Sequence, residues 1–351
     1  MAERLGAIYS SPLWLEDIGR TAESLPALAE LEGQSVLLTG ANGLICSAVV
    51  DVLIRYNETH TDSIGIITAG RSRERVRSRF GEFFGRGYFS FVEYDASRLE
   101  PVGVSADYVI HGASNAHPSA MSAEPVETMQ SNFFGVNALL PCARKRFLYI
   151  SSSEVYGQRA SDNLDPFVEN DYGYIDMLSP RSCYPVAKRA AETLCVSYAA
   201  EHGTDSVIVR PGHIYGPTAS ARDTRVSSAF AYLAARGEDI VMKSEGLQLR
   251  SWCYCLDCAS AILKVLLRGE SSNAYNIPGE IMTIRQMSEM LASLGGVRLL
   301  REGATETERK AFNPMNNSSV DGSKLEALGW RSLFDAQTGL EHTVETLRHV
   351  I

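Results

Sequence analysis

Ser35-Val36-Leu37-Leu38-Thr39-Gly40-Ala41-Asn42-Gly43-Leu44-Ile45-Cys46 decides how the fold is read. A short apolar run, the pattern of a buried strand, ends in a glycine-bearing turn and passes straight into an apolar helix. Gly40 and Gly43 allow the sharp turn and let backbone N–H groups at the helix N-terminus approach a pyrophosphate. A lone glycine motif is weak, since an ordinary strand-to-helix turn carries the same residues; its position at the head of an alternating series strengthens it. The third glycine of the pattern is replaced by Cys46, a small packing residue expected to displace the helix slightly.

Working outward, apolar strands are predicted at 35–39, 64–69, 89–94, 108–111, 147–151, 206–210 and 274–277, with helices near 47–56, 125–144 and 184–201. Strands alternating with helices specify an α/β fold, here a Rossmann-type doubly wound parallel sheet. A smaller, interleaved substrate-binding lobe is expected over the carboxyl ends of the strands. Residues 1–34 read as an N-terminal helical arm and 35–210 mainly as the dinucleotide-binding domain, with 157–183 lent to the substrate lobe. Residues 211–351 read mainly as that lobe, 211–243 as loops and 270–351 as short helices, with a strand near 274–277 returning to the sheet.

The 351 residues are enough for one large α/β unit with an appended lobe. A net charge of −9 argues against a general nucleic-acid or anionic-membrane surface. Seven cysteines without framework spacing suit a reducing compartment. No apolar run reaches the roughly 18 residues needed to span a bilayer, and the N-terminus lacks a signal pattern. A cytoplasmic enzyme with neither nucleic-acid nor membrane partner is the expectation. No metal is expected: Cys253, Cys255 and Cys258 lack an obvious fourth ligand and read as packing residues.

The candidate cofactor residues are Gly40, Asn42, Gly43, Leu44 and Ile45 in the first turn, Arg71 and Ser72 after the second strand, Asp95 after the third, and Ala113 and Ser114 after the fourth. An acid closing the second strand would bind the ribose 2′-hydroxyl of NAD, but the run there is Ala69-Gly70-Arg71-Ser72-Arg73. Arg71, Ser72 and Arg73 either grip the 2′-phosphate of NADP or form a solvated helix start. His111 reads as structural. Asn115 and His117, in the loop over the cofactor, are candidate substrate-pocket residues.

After the fifth strand comes Ser152-Ser153-Glu154-Val155-Tyr156-Gly157, and about 30 residues later Tyr184-Pro185-Val186-Ala187-Lys188 opens a helix. A spacing of four puts Tyr184 and Lys188 on one helical face, one turn apart. A nearby ammonium favours phenolate and is expected to pull the tyrosine below its unperturbed ~10, giving a base usable near neutrality. Lys188 also stands where it can hold the nicotinamide ribose.

With these motifs in place, 35–330 resembles the extended short-chain dehydrogenase/reductase family of sugar-nucleotide enzymes. Within it the chain is similar to UDP-glucuronate decarboxylases (UDP-xylose synthases). The similarity is densest in 151–157, in Ser179-Pro180-Arg181-Ser182-Cys183-Tyr184 and in 188–195, and extends to 224–228 and 248–251. It implies that Tyr184 removes the proton from the sugar 4-hydroxyl, that Ser152 hydrogen-bonds the 4-oxygen, and that Ser153 and Glu154 flank C5 and C6. Arg225 and Arg250 would meet the diphosphate or sugar. His213, at a position where the decarboxylases usually have asparagine, would lie near the substrate phosphate. It implies NAD by default, and a homodimer joined through the helices near 125–144 and 184–201.

Within that resemblance the Ser-Ser-Glu triplet weighs against two of the reactions, although GDP-mannose 4,6-dehydratases carry a similar triplet and dehydration stays open. A dehydratase of the dTDP-glucose type needs an acid at the middle position, where Ser153 is a poor one. A simple 4-epimerase usually lacks the glutamate. After oxidation at C4 a C6 carboxylate is β to a ketone, so carbon dioxide leaves with little further help. Decarboxylation of UDP-glucuronate to UDP-xylose is therefore expected. The alternatives are a nucleotide-sugar 4,6-dehydratase or 4-epimerase and, from another class, a non-catalytic nucleotide-binding sensor or scaffold.

Overall fold

The computed structural model describes residues 5–100, 102–116, 118–159 and 163–351. Its strands are β1 (Ser35–Thr39), β2 (Gly65–Gly70), β3 (Phe89–Glu93), β4 (Ala106–His111), β5 (Ala143–Ile150) and β6 (Ser206–Pro211). They continue with β7 (His213–Tyr215), β8 (Ile240–Met242), β9 (Leu249–Tyr254), β10 (Ala274–Ile277), β11 (Glu280–Thr283) and β12 (Leu299–Arg301). The helices begin with α1 (Pro12–Glu23), α2 (Leu44–Thr59), α3 (Arg73–Phe80), α4 (Pro118–Ala123), α5 (Pro125–Leu139) and α6 (Cys183–His202). After these come α7 (Val226–Arg236), α8 (Cys255–Arg268), α9 (Ile284–Gly295), α10 (Glu306–Ala311), α11 (Ser323–Ala327) and α12 (Ala336–Val350).

Seven strands form one parallel sheet in the order β10-β6-β5-β4-β1-β2-β3. The order reverses at β1, the switch point where doubly wound sheets bind ligands beyond the strand ends. Both faces are buried, which is why the strands read as near-continuous apolar runs. Leu37, Val109, Phe147, Tyr149 and Ile208 pack with Val136 and Leu139 of α5 and Ala191 and Cys195 of α6. Val36, Leu38, Ile110, Leu148 and Val209 belong to the opposite core, with α2 and α8. Beyond the sheet lie β11-β9-β7 and the pair β12-β8. Among the described residues no helix is long and apolar enough to cross a membrane.

The first helix is fixed at its start by Ser11, whose side chain accepts from the Trp14 N–H, with Pro12 in the first turn. It buries Trp14 and Ile18. Ahead of it, the Tyr9 hydroxyl donates to Asp51 at 2.5 Å, and Asp51 also pairs with buried Arg79. Asp17 accepts from the Tyr254 hydroxyl at 3.0 Å and meets His342 of α12 at 2.9 Å. Trp330 is buried, with its indole N–H donating to Ser260.

Two expectations are corrected. The helix expected over 125–144 stops at Leu139, passes through a tight turn at Leu140–Cys142, and gives way to β5 from Ala143. Pro141 has no N–H to continue the helical ladder, and Arg144 lies in a strand, its guanidinium on Asp107. The segment expected as loops over 211–243 instead contains β7, α7 and β8, and 270–351 adds β11 and β12 to its helices. Strands of three or four residues are too short for alternation to register in sequence.

Candidate active site

Backbone geometry at the first turn sets the groove. Gly40 has φ +68°, and a Cβ there would stand 3.0 Å from the Gly112 and Ala113 backbone. A Cβ on Gly43, which caps α2, would come within 3.2 Å of the Gly40 carbonyl. The turn is thus a backbone-lined cradle that side chains would fill, which fits a dinucleotide pyrophosphate. Gly40, Asn42, Gly43, Arg71, Ser72, Asp95, Ala113, Ser114 and Asn115 line one cleft. Leu44 and Ile45 do not line it; Leu44 is buried and its carbonyl accepts from Thr218 at 2.7 Å. His117 lies outside the described residues.

Cys46 does not need the helix displacement expected of it. Its Sγ occupies space left by Gly112, where a Cβ would come within 2.4 Å. Burial pushes its thiol up to about 12. The Thr39 hydroxyl accepts from the Gly112 and Ala113 N–H groups at 3.2 and 3.1 Å and meets His111 Nδ1 at 2.7 Å. With both acceptor sites used, the hydroxyl proton points to Nδ1. His111, pulled down to about 3 by burial and then by Lys188, is neutral and braces the turn. Asp95 accepts from the Ser97 amide and hydroxyl; burial opposes its charge, but these bonds with Arg71 and Arg98 hold it below the usual range.

At the other end, β5 hands the chain to Ser152, whose side chain caps a tight turn by accepting from the Glu154 N–H. Facing it, α6 presents Tyr184 and Lys188, 6% and 3% exposed. The Lys188 Nζ donates to the Ile150 carbonyl at 2.7 Å and lies 4.6 Å from the Tyr149 ring centre and 5.6 Å from that of Tyr184. The two side chains therefore share one buried space, as their spacing predicts.

The direction of the Tyr184 shift differs from that expected. Tyr184 is pushed up to about 12, first by burial and then by Glu154, against Ser152, Arg225 and Arg181. Lys188 is pulled down to about 7, also by burial, with Glu192 opposing. Desolvation disfavours the charged form of each, raising the phenol and lowering the amine.

Glu154 pairs with Arg181 at 3.0 Å, and Arg181 keeps a buried, unpartnered Nε. Arg225 is held by Asp223, its Nε 3.0 Å from both carboxylate oxygens. Arg250 is 2% exposed and, among the described residues, donates to the Leu249 and Met315 carbonyls alone, at 2.7 and 3.0 Å. Lacking a directly bonded carboxylate, it is pulled down to about 10 by burial, with Glu154 opposing. His213 stands edge-on to Trp252 with a buried, unpartnered Nδ1. Burial, then Arg250 and Arg225, keeps it neutral. Electrostatic links thus join Tyr184 to Glu154 and Arg225, Arg250 to Glu154, and His213 to Arg250 and Arg225. Arg181 was not singled out from sequence, although it sits three residues before Tyr184.

Behind the site a second polar group is fully engaged. Arg210 forks onto Glu192 at 3.0 and 2.7 Å and donates to the Tyr156 hydroxyl and the Glu169 carbonyl. The Tyr156 hydroxyl donates to Asn276 at 2.5 Å, and the Asn276 amide donates to the Phe167 and Asp321 carbonyls. Arg189 bonds the carbonyls of Val155, Tyr156 and Gly173. These bonds fix the turn that carries Ser153 and Glu154.

UDP-glucuronic acid decarboxylase 6 of Arabidopsis thaliana is 31% identical over 321 residues, 89% of this chain and 88% of that protein. UDP-glucuronic acid decarboxylase 1 of Xenopus tropicalis is 27% identical, covering 92% and 74%. The solved UDP-glucuronic acid 4-epimerase of Bacillus cereus, in complex with UDP-glucuronic acid and NAD, superposes with a TM-score of 0.74 at 19% identity, covering 90% of this chain and all of that one. The family model for the NAD dependent epimerase/dehydratase family matches residues 36–278, from the first strand through the glycine cradle and the tyrosine–lysine helix to the last strand of the sheet, and the chain belongs to that family.

Proposed function

We propose that this enzyme modifies a sugar nucleotide by transient oxidation at C4, and that the reaction is decarboxylation of UDP-glucuronate to UDP-xylose. The observation that carries the reading is the constellation around Glu154. Its middle neighbour is Ser153, 1% exposed and a poor acid, while Glu154 itself is tied to Arg181. A site so built favours loss of a carboxylate over acid-assisted expulsion of a hydroxyl. The cationic surround suits an anionic substrate: Arg181 and Arg225 are matched by acids, while buried Arg250 bonds only backbone carbonyls among the described residues. Unmatched buried charge is costly until an anion arrives.

A nicotinamide dinucleotide held at Gly40, Asn42, Gly43, Asp95, Ala113 and Ser114 supplies the hydride acceptor and donor for C4. Lys188 holds its ribose and stands beside Tyr184. Tyr184 in its phenolate form, the minority form near neutral pH given its upward shift, takes the 4-hydroxyl proton as C4 is oxidised, and Ser152 steadies the 4-oxygen. The C6 carboxylate, now β to the ketone, departs as carbon dioxide, and the electron pair moves toward C5 and the 4-oxygen. Tyr184 and Ser152 donate hydrogen bonds to that oxygen, a solvent proton takes the place of C6 on C5, and return of the hydride to C4 with the Tyr184 proton to the 4-oxygen would close the cycle. Arg225, Arg250 and His213 hold the diphosphate and sugar, while Asn115 stands in the dinucleotide cleft with its amide on Glu124 and Glu127. We read the protein as a cytoplasmic homodimer joined through α5 and α6.

Purified protein given UDP-glucuronate is expected to release carbon dioxide and a UDP-pentose. A 4-keto hexose or an epimer with no carbon dioxide would instead assign a dehydratase or epimerase. No change in any nucleotide sugar would defeat the reading.

A further inference from the structure

We infer that the adenosine end of the groove is built for a 2′-phosphorylated dinucleotide, with Arg75 the decisive residue and Arg71 its partner. The inference rests on the groove being a dinucleotide site and goes beyond the family's NAD dependence. The redox cycle regenerates its own cofactor, so the chemistry at C4 is indifferent to the ribose phosphate, and the groove alone sets the preference.

A carboxylate closing the second strand discriminates for an unmodified ribose, and an arginine nearby accommodates a 2′-phosphate. Here β2 closes on Gly70, and Arg71, Ser72 and Arg75 line the cleft together with Gly40 and Gly43. Arg73 is not part of that wall; its guanidinium lies over the Phe84 ring, 5.9 Å from the centre. Ser72 caps α3 by accepting from the Arg75 N–H at 3.3 Å, so the cap fixes the backbone from which Arg75 projects. Sequence therefore indicated the right segment, but structure exchanges Arg73 for Arg75.

Charge matching points the same way. The carboxylates lining this cleft are Asp95 and Glu127. Glu127 pairs with Arg71 at 2.9 Å, and Asp95 is met by Arg98 at 3.5 Å as well as by Ser97. Arg75 makes no ion pair among the described residues, so a full positive charge lines the cleft in a protein of net charge −9. A phosphate carrying close to two negative charges engages such a guanidinium through paired, charge-assisted hydrogen bonds.

NADPH and NADH are titrated against the full-length protein by tryptophan fluorescence, and the nucleotide released on denaturation is identified. NADPH is expected to bind about tenfold or more tightly than NADH. That ratio should shrink on raising salt from about 0.05 to about 0.5 M. Arg75→Ala should remove most of the preference, and Arg71→Ala/Arg75→Ala the rest, with NADH affinity held within about threefold. Both arginines are exposed, so folding is expected to survive. Equal or tighter binding of NADH, release of NAD(H) alone, or a preference that persists in the double variant overturns the inference while leaving the dinucleotide reading intact. If neither nucleotide binds, the groove assignment fails and takes this inference with it.

Discussion

Two buried tyrosines, 28 residues apart in the chain, stand in opposite kinds of polar surroundings. Tyr156 gives its proton to Asn276, accepts from Arg210, and belongs to a network in which Arg210 is matched by Glu192. Tyr184 has Lys188 beside it, but among the described residues Lys188 bonds no acid, and Arg250, His213 and Arg181 retain unmatched charge or unpartnered nitrogen. A closed network holds the fold rigid, whereas an open one leaves bonding capacity for something that has yet to bind. Helix α6 contributes to both: Lys188 stands beside Tyr184 in the open group, and Glu192, one turn on, holds Arg210 in the closed one.

The contrast can be broken most forcefully at the open end. Tyr184→Phe is expected to lower turnover by about a thousandfold, with cofactor affinity and melting temperature nearly unchanged; retained turnover would remove the assigned base. At the closed end the effect moves to stability. Glu192→Ala strands the Arg210 guanidinium and is expected to cost about 3 kcal/mol in urea unfolding, and a loss below about 1 kcal/mol would show that the network is not closed.

Lys188→Met tests both ends at once. In the folded protein Lys188 sits near 7 against an ordinary 10.5, so between those values the unfolded chain binds more protons and stability rises with pH. The variant should lose turnover, lose that rise, and unfold near neutral pH no more easily than the parent. The smallest effect is expected from Glu154→Gln. Removing its charge takes away a cause of the high Tyr184 value, so the pH profile of whatever turnover remains should move to lower pH. A shift to higher pH would reverse the assigned electrostatics.

The open group was largely legible in sequence because motif spacing speaks to it directly. Gly40, Gly43, Tyr184 and Lys188 announce a turn and a helical face through residue type and interval. The strands β1 to β6 were legible for a related reason, as runs long and apolar enough to register. The closed network was not, because Tyr156, Glu192, Arg210 and Asn276 converge from separate elements with no local pattern. Arg75 was missed through helical geometry: the arginine adjoining the strand looked nearer to the groove, yet the first turn of α3 sends Arg73 to Phe84 and brings Arg75 to the cleft. The direction of the Tyr184 shift was lost because spacing reports proximity and says nothing of how dry the site is.

The fit of Cys46 against Gly112 couples two positions that are far apart in the chain. The thiol takes up space that a side chain at 112 would need, and Ile150 also borders that space. Any side chain placed at 112 beside Cys46 would therefore press on the nucleotide turn, whereas shrinking residue 46 alone would relieve only part of the crowding.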